Sequence, residues 1–387
     1  MEFEKLNFII QKFFNNTKVI SVRRINSGLI NRTYVVEHLY NGLKSKFILQ
    51  RLSNIFESHE VVNTNHRLIT DHIEKKLNNI SSNFDRKRWE VPNLIRCESN
   101  NIFGFPYESD YWRAMVYIDQ VFSCEYLEDE IMAYQAGVGL AKFHSLCSDF
   151  DCSKLENSIS NFHNTRYYID KYFYTIENCN IKKSDHEIEK RVKDLKKSLS
   201  NHFVFVDLLI RSLSKEKIDQ KVIHGDPKLS NFLFDIQNKY VVSLIDLDTV
   251  ATGNLLIDLA DCIRSISNLA GEDPSIKENV YFDIKYCMYF LKGYFSSSSE
   301  KKSQSFRFLL VYIYLIIFEL TIRFLTDFLD SNSYFQIKFE THNLYRAEVQ
   351  YRLLSSFLIQ IPDLSNKLDE IGISSSPTFF SDVQKLV

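Results

Sequence analysis

The chain has 387 residues, 45% of them hydrophobic and 14% aromatic, which is enough to bury a large core and too apolar for a disordered chain. With 25% charged residues and a net charge of −2, it carries no basic field that would recruit nucleic acid or an anionic membrane surface. The seven cysteines, at 97, 124, 147, 152, 179, 262 and 287, form no C-x-x-C pair, and their odd count fits reduced thiols in a cytoplasmic protein.

Met1-Glu2-Phe3-Glu4-Lys5 lacks the basic-then-apolar order of a signal peptide. Lys18–Ile25 is rich in β formers, Asn26-Ser27-Gly28 supplies a turn, and Thr33–Val36 begins a second strand. Asn41-Gly42 marks a hairpin that leads into a third strand over Lys46–Gln50. Val61, Val62, Leu68, Ile69 and Ile73 recur close to i, i+3, i+4 and predict a helix from Ser58 to Leu77. Ser81–Lys87 reads as a polar loop, and Pro92 enters another strand. Leu94–Cys97 and Phe103–Phe105 flank Asn100-Asn101 and predict a second hairpin, with a fifth strand over Tyr111–Ile118.

Beyond Asp119 the pattern turns helical. Ile131–Leu146 spaces Ala and Gly as a helix packed closely on a neighbour does. Segments 185–214, 258–270, 277–294, 304–329 and 341–360 also read as helices. Phe308–Phe318 is the most hydrophobic stretch. It is shorter than the ~20 residues a bilayer requires, and Glu319 and Arg323 follow it, so it predicts a buried helix and no membrane span. Ser296–Ser305 is a Ser/Lys-rich loop, and the tail after Leu364 is weakly patterned.

Within the helical part lies His224-Gly225-Asp226-Pro227-Lys228-Leu229-Ser230-Asn231, followed by two apolar runs and then Asp246-Leu247-Asp248. An Asp and an Asn five apart, with a further Asp after a strand, match the order of the protein-kinase catalytic loop H-R-D-x-x-x-x-N and the metal-binding D-F-G. Gly225 replaces the Arg, and Asp246-Leu247-Asp248 replaces D-F-G. Turn propensity explains Asp, Gly, Pro and Asn one at a time, but not the full spacing together. Five strands and a helix followed by a helical region make the layout α+β and two-lobed, like a protein kinase. The expected division is a nucleotide-binding lobe over residues 1–118 and a helical lobe over 119–387 with the catalytic loop and acceptor pocket.

The chain resembles the aminoglycoside phosphotransferase/choline kinase superfamily and, within it, N-acetylhexosamine 1-kinases. The resemblance is carried by Ser27–Tyr34, Phe47–Leu52, His224–Asn231, Leu244–Thr249 and Asp258–Ser265. Phe162–Thr165, Arg323–Asp327 and His342–Arg346 are further matches. It implies an ATP- and Mg2+-dependent kinase that phosphorylates a small-molecule hydroxyl, with a sugar or amino-sugar anomeric hydroxyl as the leading acceptor. Choline, homoserine or an aminoglycoside would keep the same chemistry, and a nucleotide-binding pseudokinase would keep the fold alone. The resemblance makes Asp226 the catalytic base and Asn231 and Asp246 the Mg2+ ligands. It puts Gly28, Asn31 and Thr33 over the phosphates and the Tyr111–Asp119 segment, with Tyr117, beside the adenine. Asp248 is a candidate for the metal shell or the acceptor, and His163, Arg323, Asp327, Asn343 and Arg346 are its acceptor-side candidates.

Three local readings remain. A strand cation that contacts phosphate is expected where Gln50 stands, and Arg51 points to the other face unless the strand bulges. Either Arg51 is recruited, another base substitutes, or Mg2+ alone neutralises the phosphates; Glu60 and Glu74 are candidates for its helix partner. His224 is expected to brace the loop by hydrogen bonding, and Lys228 to reach the transferring phosphoryl group. Asp258 and Asp261, at a helix start, are explained by capping and the helix dipole.

Overall fold

The computed structural model describes residues 2–25, 28, 30–79, 88–178, 185–298 and 304–374. The expected turn at Asn26-Ser27, the loop 81–87, residues 299–303 of the Ser/Lys-rich loop and the end of the tail lie outside the described residues. Helix α1 (Glu2–Phe13) precedes strands β1 (Lys18–Ile25), β2 (Arg32–Tyr40) and β3 (Leu43–Leu52), helix α2 (His59–Asn79) and strands β4 (Leu94–Ile95), β5 (Phe105–Tyr107) and β6 (Asp110–Val116). The sheet is antiparallel in the order β1-β2-β3-β6-β4, with β5 also on β6. Leu94–Cys97 and Phe103–Phe105 therefore do not pair as a hairpin. Both short strands lie end to end on β6, Leu94 opposite Met115 and Phe105 opposite Trp112.

Side-chain alternation divides this sheet into two faces. Tyr34, Val36, Phe47, Leu49, Trp112 and Ala114 pack with Leu6, Ile9, Ile10 and Phe13 of α1. Thr33, Val35, Ile48, Gln50, Arg113 and Met115 line the cleft on the opposite face. Helix α1 was not read from the sequence, although Leu6, Ile9, Ile10 and Phe13 follow the i, i+3, i+4, i+7 spacing of an apolar helix face.

The second lobe begins with β7 (Val121–Phe122) and α3 (Glu130–Cys147), whose first turn is capped by Asp129 accepting from Met132 N at 2.9 Å. It continues through α4 (Thr165–Asn178), α5 (His186–Leu213), β8 (Lys221–Ile223), β9 (Phe232–Asp235), β10 (Val241–Leu244) and β11 (Ala251–Gly253). Helices α6 (Leu255–Ile266), α7 (Ile284–Ser297), α8 (Leu309–Leu329) and α9 (His342–Glu370) complete it. The Gly-bearing face of α3 packs on α7: a Cβ at Gly137 would lie 2.0 Å from Phe290 O, and one at Gly293 would lie 1.9 Å from Tyr134 O. Only glycine at both positions lets the two backbones touch.

Helix α8 is longer than the expected apolar stretch and sits within a Ser305–Leu329 segment that is long and apolar enough to cross a bilayer. Yet 83% of its apolar window is buried against the other helices, so it forms the centre of the core. Helix α9 runs to Glu370, past Pro362, through the tail that had seemed weakly patterned. All six described cysteines are free thiols.

Candidate active site

The segment between β8 and β9 carries His224–Asn231, and the segment after β10 carries Asp246–Asp248. Three buried side chains fix the first of these. Asp258, fully buried on α6, accepts His224 N at 2.7 Å and Gly225 N at 2.9 Å, and His144 Nε2 lies 2.9 Å from it. Ser265 Oγ accepts Leu229 N at 3.0 Å, and His224 Nε2 meets Ile245 O at 2.9 Å, tying the two segments together. Burial lowers the His224 pKa, so its imidazole is a neutral brace. Gly225 adopts φ +86°, and a Cβ there would lie 2.5 Å from Thr249 O, which accounts for glycine where protein kinases carry Arg.

Two clefts meet at this loop. An open cleft of about 1330 Å3 lies between the lobes, walled by Gly28, Thr33, Ile48, Met115 and Tyr117 above and by Asn231, Leu233 and Ile245 below. A second, of about 800 Å3, lies mainly in the helical lobe, lined by Phe162, His163, Asp261, Arg264, Glu319 and Arg323 among others, with Ile30, Asn31, Ile55 and Phe56 of the first lobe at its edge. Asp226, Lys228 and Asp246 line both.

Lys228 Nζ donates to Asp226 Oδ2 at 2.6 Å. Burial by itself would raise the Asp226 carboxyl, but Lys228, with Arg264, holds it below the ordinary carboxylate range. Asp246, in the left-handed region at φ 67°, is pushed up to about 7 by burial and by the neighbouring Asp248 carboxylate. Asn231 Nδ2 donates to Asp226 O at 2.7 Å, and among the described residues its Oδ1 has no partner. No three His, Cys, Asp or Glu side chains among the described residues form a ready metal cage. Two oxygen donors beside crowded carboxylates suit a hard divalent cation that takes its other ligands from phosphates and water, as Mg2+ does.

The remaining sequence candidates divide. Asn31 reaches the site, donating to Asp248 Oδ2 at 2.7 Å and accepting from Ser53 N at 2.9 Å. Thr33 accepts from Gln50 Nε2 at 3.1 Å on the cleft face, and the Tyr117 ring carries Lys46 Nζ 5.3 Å from its centroid. Arg51 does not face the cleft. Strand β3 runs without a bulge against β6, so Arg51 turns to the α1 side and pairs with Asp110 at 2.9 Å. Asp248 is 3% exposed, and both of its carboxylate oxygens are taken by side chains of the first lobe, Asn31 and Arg113. Glu60 bonds Ser58 and Glu74 bonds Asn93; neither lines the cleft.

Among the acceptor-side candidates, His163 Nε2 meets Gly225 O at 2.6 Å, and its other nitrogen faces Glu319 at 3.5 Å. Burial opposes the imidazolium, but Glu319 outweighs it and the His163 pKa is raised. Arg323 lies 3.7 Å from Glu319, with its guanidinium among the rings of Phe162, Tyr168, Tyr334 and Phe335 at 4.7–5.8 Å. Asp327, Asn343 and Arg346 are not in this cleft. Asp327 accepts Tyr334 N at 2.7 Å, Phe335 N at 2.9 Å and Asn343 Nδ2 at 2.8 Å, while Arg346 forks onto Asp273 at 2.8 and 3.0 Å. They brace the segment that carries Tyr334 and Phe335. Gln336 of the same segment donates to Ile30 O at 2.7 Å, joining the second lobe to the β1–β2 turn.

Sequence reasoning missed Asp261, Arg264 and Glu272 as cleft residues. Arg264 pairs with Asp261 at 2.7 Å and Glu272 at 2.8 Å, yet Asp261 Oδ2 and Arg264 Nη1 are buried with no partner among the described residues. The i, i+3 spacing of Asp258 and Asp261 was the available signal. It placed both on one side of α6, where one holds the loop and the other lines the cleft.

The sequence matches the phosphotransferase enzyme family over residues 21–289, more than half of the chain. The chain belongs to that family. It is a kinase of the aminoglycoside phosphotransferase type with a hydroxyl acceptor. Its fold is similar to that of a spectinomycin phosphotransferase solved with ADP and spectinomycin, at 14% identity over 91% of this chain and 96% of that one, with a TM-score of 0.57. A choline kinase from Cryptosporidium parvum Iowa II is similar at 16% identity over 96% and 97%, with a TM-score of 0.54. A microcompartment-associated aminopropanol kinase is similar at 14% identity over 94% and 98%, with a TM-score of 0.56. At these identities the phosphotransferase shares their architecture, and its acceptor has to be argued from its own cleft.

Proposed function

We propose that this phosphotransferase is a cytoplasmic, ATP- and Mg2+-dependent kinase for the anomeric hydroxyl of a sugar or amino sugar. The observation that carries the chemistry is that Asp226 lines both clefts, so a nucleotide in one and an acceptor in the other meet at its carboxylate. The acceptor oxygen attacks the γ-phosphorus, the bond from that phosphorus to the β-bridging oxygen breaks, and ADP leaves. Asp226 orients the hydroxyl and takes its proton, and its depressed pKa keeps it ionised for that purpose. Lys228, bonded to Asp226, stands where it can also meet the transferred group. Asn231 and Asp246 would hold the Mg2+, which supplies charge neutralisation to the phosphates when bound.

Two unpaired atoms of the second cleft support that acceptor class. Asp261 offers a buried acceptor atom and Arg264 a buried donor, both without partners among the described residues. Such atoms are costly to leave unmade, and neighbouring hydroxyls, each both donor and acceptor, satisfy the two together. An aromatic cage for a quaternary ammonium is one alternative architecture. Here the rings of Phe162, Tyr168, Tyr334 and Phe335 already surround the guanidinium of Arg323, so the cleft's own cation occupies that place. The resemblance to N-acetylhexosamine 1-kinases supports the same acceptor class.

ADP release measured against a panel of hexosamines, neutral hexoses, choline, homoserine and aminoglycosides tests the reading, with Asp226→Asn as the blank. A hexosamine is expected to give the highest kcat/KM. A tenfold preference for choline or an aminoglycoside, ~1.4 kcal/mol of transition-state discrimination in the wrong direction, would overturn it.

A further inference from the structure

Strand β3 presents an uncharged Gln50 to the cleft where a kinase of this architecture is expected to carry a cation, and Arg51 faces away. The neighbouring strand has a cation in the same row. Arg113 lies directly opposite Gln50 in the β3–β6 register, on the cleft face, and is fully buried. Its Nε and Nη2 donate to Gln50 Oε1 at 2.9 and 2.5 Å, its Nη1 lies 3.4 Å from Asn63 Oδ1 on α2, and Nη2 also pairs with Asp248.

We propose that Arg113 is the positioning cation of this enzyme, carried on β6 in place of the lysine expected on β3. Its connections join the parts that such a cation has to join. Gln50 is the strand position that would otherwise be charged, and its own amide is held by Thr33 at 3.1 Å. Asn63 supplies the contact from α2 that Glu60 and Glu74 do not make. Asp248, two residues beyond Asp246, also accepts from Asn31 in the turn that covers the cleft. Arg113 thus fixes the Asp246–Asp248 segment against the first lobe and places a positive charge at the cleft end where Asn31, Asp226 and Asp246 converge. A guanidinium suits the post, because its planar fork serves Gln50, Asn63 and Asp248 at once. A Gln at position 50 then removes the like-charge repulsion that a lysine opposite Arg113 would create.

The inference rests on the nucleotide reading of the cleft, so the test starts with the wild-type protein. Dissociation constants for ATP and ADP are measured by calorimetry with and without Mg2+ and with no acceptor present, together with thermal unfolding. Three proteins are compared: wild type, Arg113→Gln, and the swap Gln50→Lys/Arg113→Gln, which returns the cation to β3. Arg113→Gln is expected to weaken Mg2+-nucleotide binding at least tenfold, and the swap to restore it to within about threefold of wild type. A side chain that served only packing would not be rescued by a cation one strand away. Wild-type binding with an indifferent Arg113→Gln variant would overturn the assignment alone. So would a swap that stays tenfold weak or fails to fold. Failure of the wild type to bind either nucleotide would overturn the cleft reading, and this assignment with it. Where Arg113→Gln itself fails to fold, the swap measured against wild type decides.

Discussion

Asp258→Asn perturbs the loop that holds Asp226 without touching the cleft itself. In the wild type, Oδ2 accepts from His224 N at 2.7 Å and lies 2.9 Å from His144 Nε2, while Oδ1 accepts from Gly225 N at 2.9 Å. The carboxylate is fully buried, so water cannot replace a lost partner. An amide has one acceptor oxygen. In its better orientation, that oxygen keeps His224 N and His144, and the NH2 group confronts Gly225 N–H. One charge-assisted hydrogen bond is lost and a buried donor is left unpaired, at a cost of roughly 2–4 kcal/mol. Because Gly225 precedes Asp226, kcat should fall along with stability. Urea unfolding followed by circular dichroism measures the first effect and steady-state kinetics the second. The pH dependence adds a check. Burial would raise the Asp258 carboxyl, but His144 and the loop amides hold it below its ordinary 3.8. The stability it contributes is therefore complete above that value and lost as pH falls through the depressed one, so the gap between wild type and variant should narrow only in acid. A variant within 0.5 kcal/mol (roughly the spread of neutral surface substitutions) and with unchanged kcat would refute the reasoning.

Asp226→Asn should lower turnover at least ~100-fold and leave nucleotide affinity nearly intact; residual activity above about a tenth of wild type would remove the base assignment. Gly225→Ala forces a side chain into φ +86° with its Cβ 2.5 Å from Thr249 O, and should cost more than ~2 kcal/mol of stability; an unchanged melting curve would show that the loop relaxes freely. Asp273 is held down to about 2 by Arg346, His342 and Lys338 against the opposing effect of burial. Its contribution should be complete above pH 3.8 and fade as pH approaches 2, so Asp273→Asn should lower stability near neutrality, by about 3 kcal/mol for a broken buried pair, and flatten that part of the acid-unfolding curve.

The candidate segment could be read because its residues lie close together along the chain. His224 to Asn231 is one short stretch, and Asp246 follows the next strand, so spacing along the chain records spacing in the fold. The main strands and helices were legible for the same reason, since period-2 and period-3.6 patterns survive in a single sequence. What failed depended on partners far along the chain. The β4 and β5 segments read as a hairpin because they flank Asn100-Asn101, but both pair with β6. Asp327, Asn343 and Arg346 look like pocket residues, being polar groups in apolar helices, yet they satisfy one another and the backbone of residues 334–336. Buried polarity announces an internal partner as readily as a ligand, and only the hydrogen-bond inventory tells which.

That inventory also separates the two clefts. In the cleft between the lobes the charges are linked across lobes: Asp248 is shared by Asn31 and Arg113, so the Asp246–Asp248 segment is held directly against the first lobe. At the acceptor end, the pairs stay within the second lobe. Glu319 holds His163 and Arg323, while Arg264 holds Asp261 and Glu272. A cationic acceptor that paired with Glu319 or Glu272 would have to displace a partner already there. Asp261 Oδ2 and Arg264 Nη1 have no partner among the described residues, and a hydroxyl group can serve either. Acceptor discrimination in this enzyme is therefore expected to come from the placement of hydroxyls rather than from attraction of charge. The nucleotide end, with Lys228 and Arg113 beside three aspartates, keeps the electrostatic work for the phosphates.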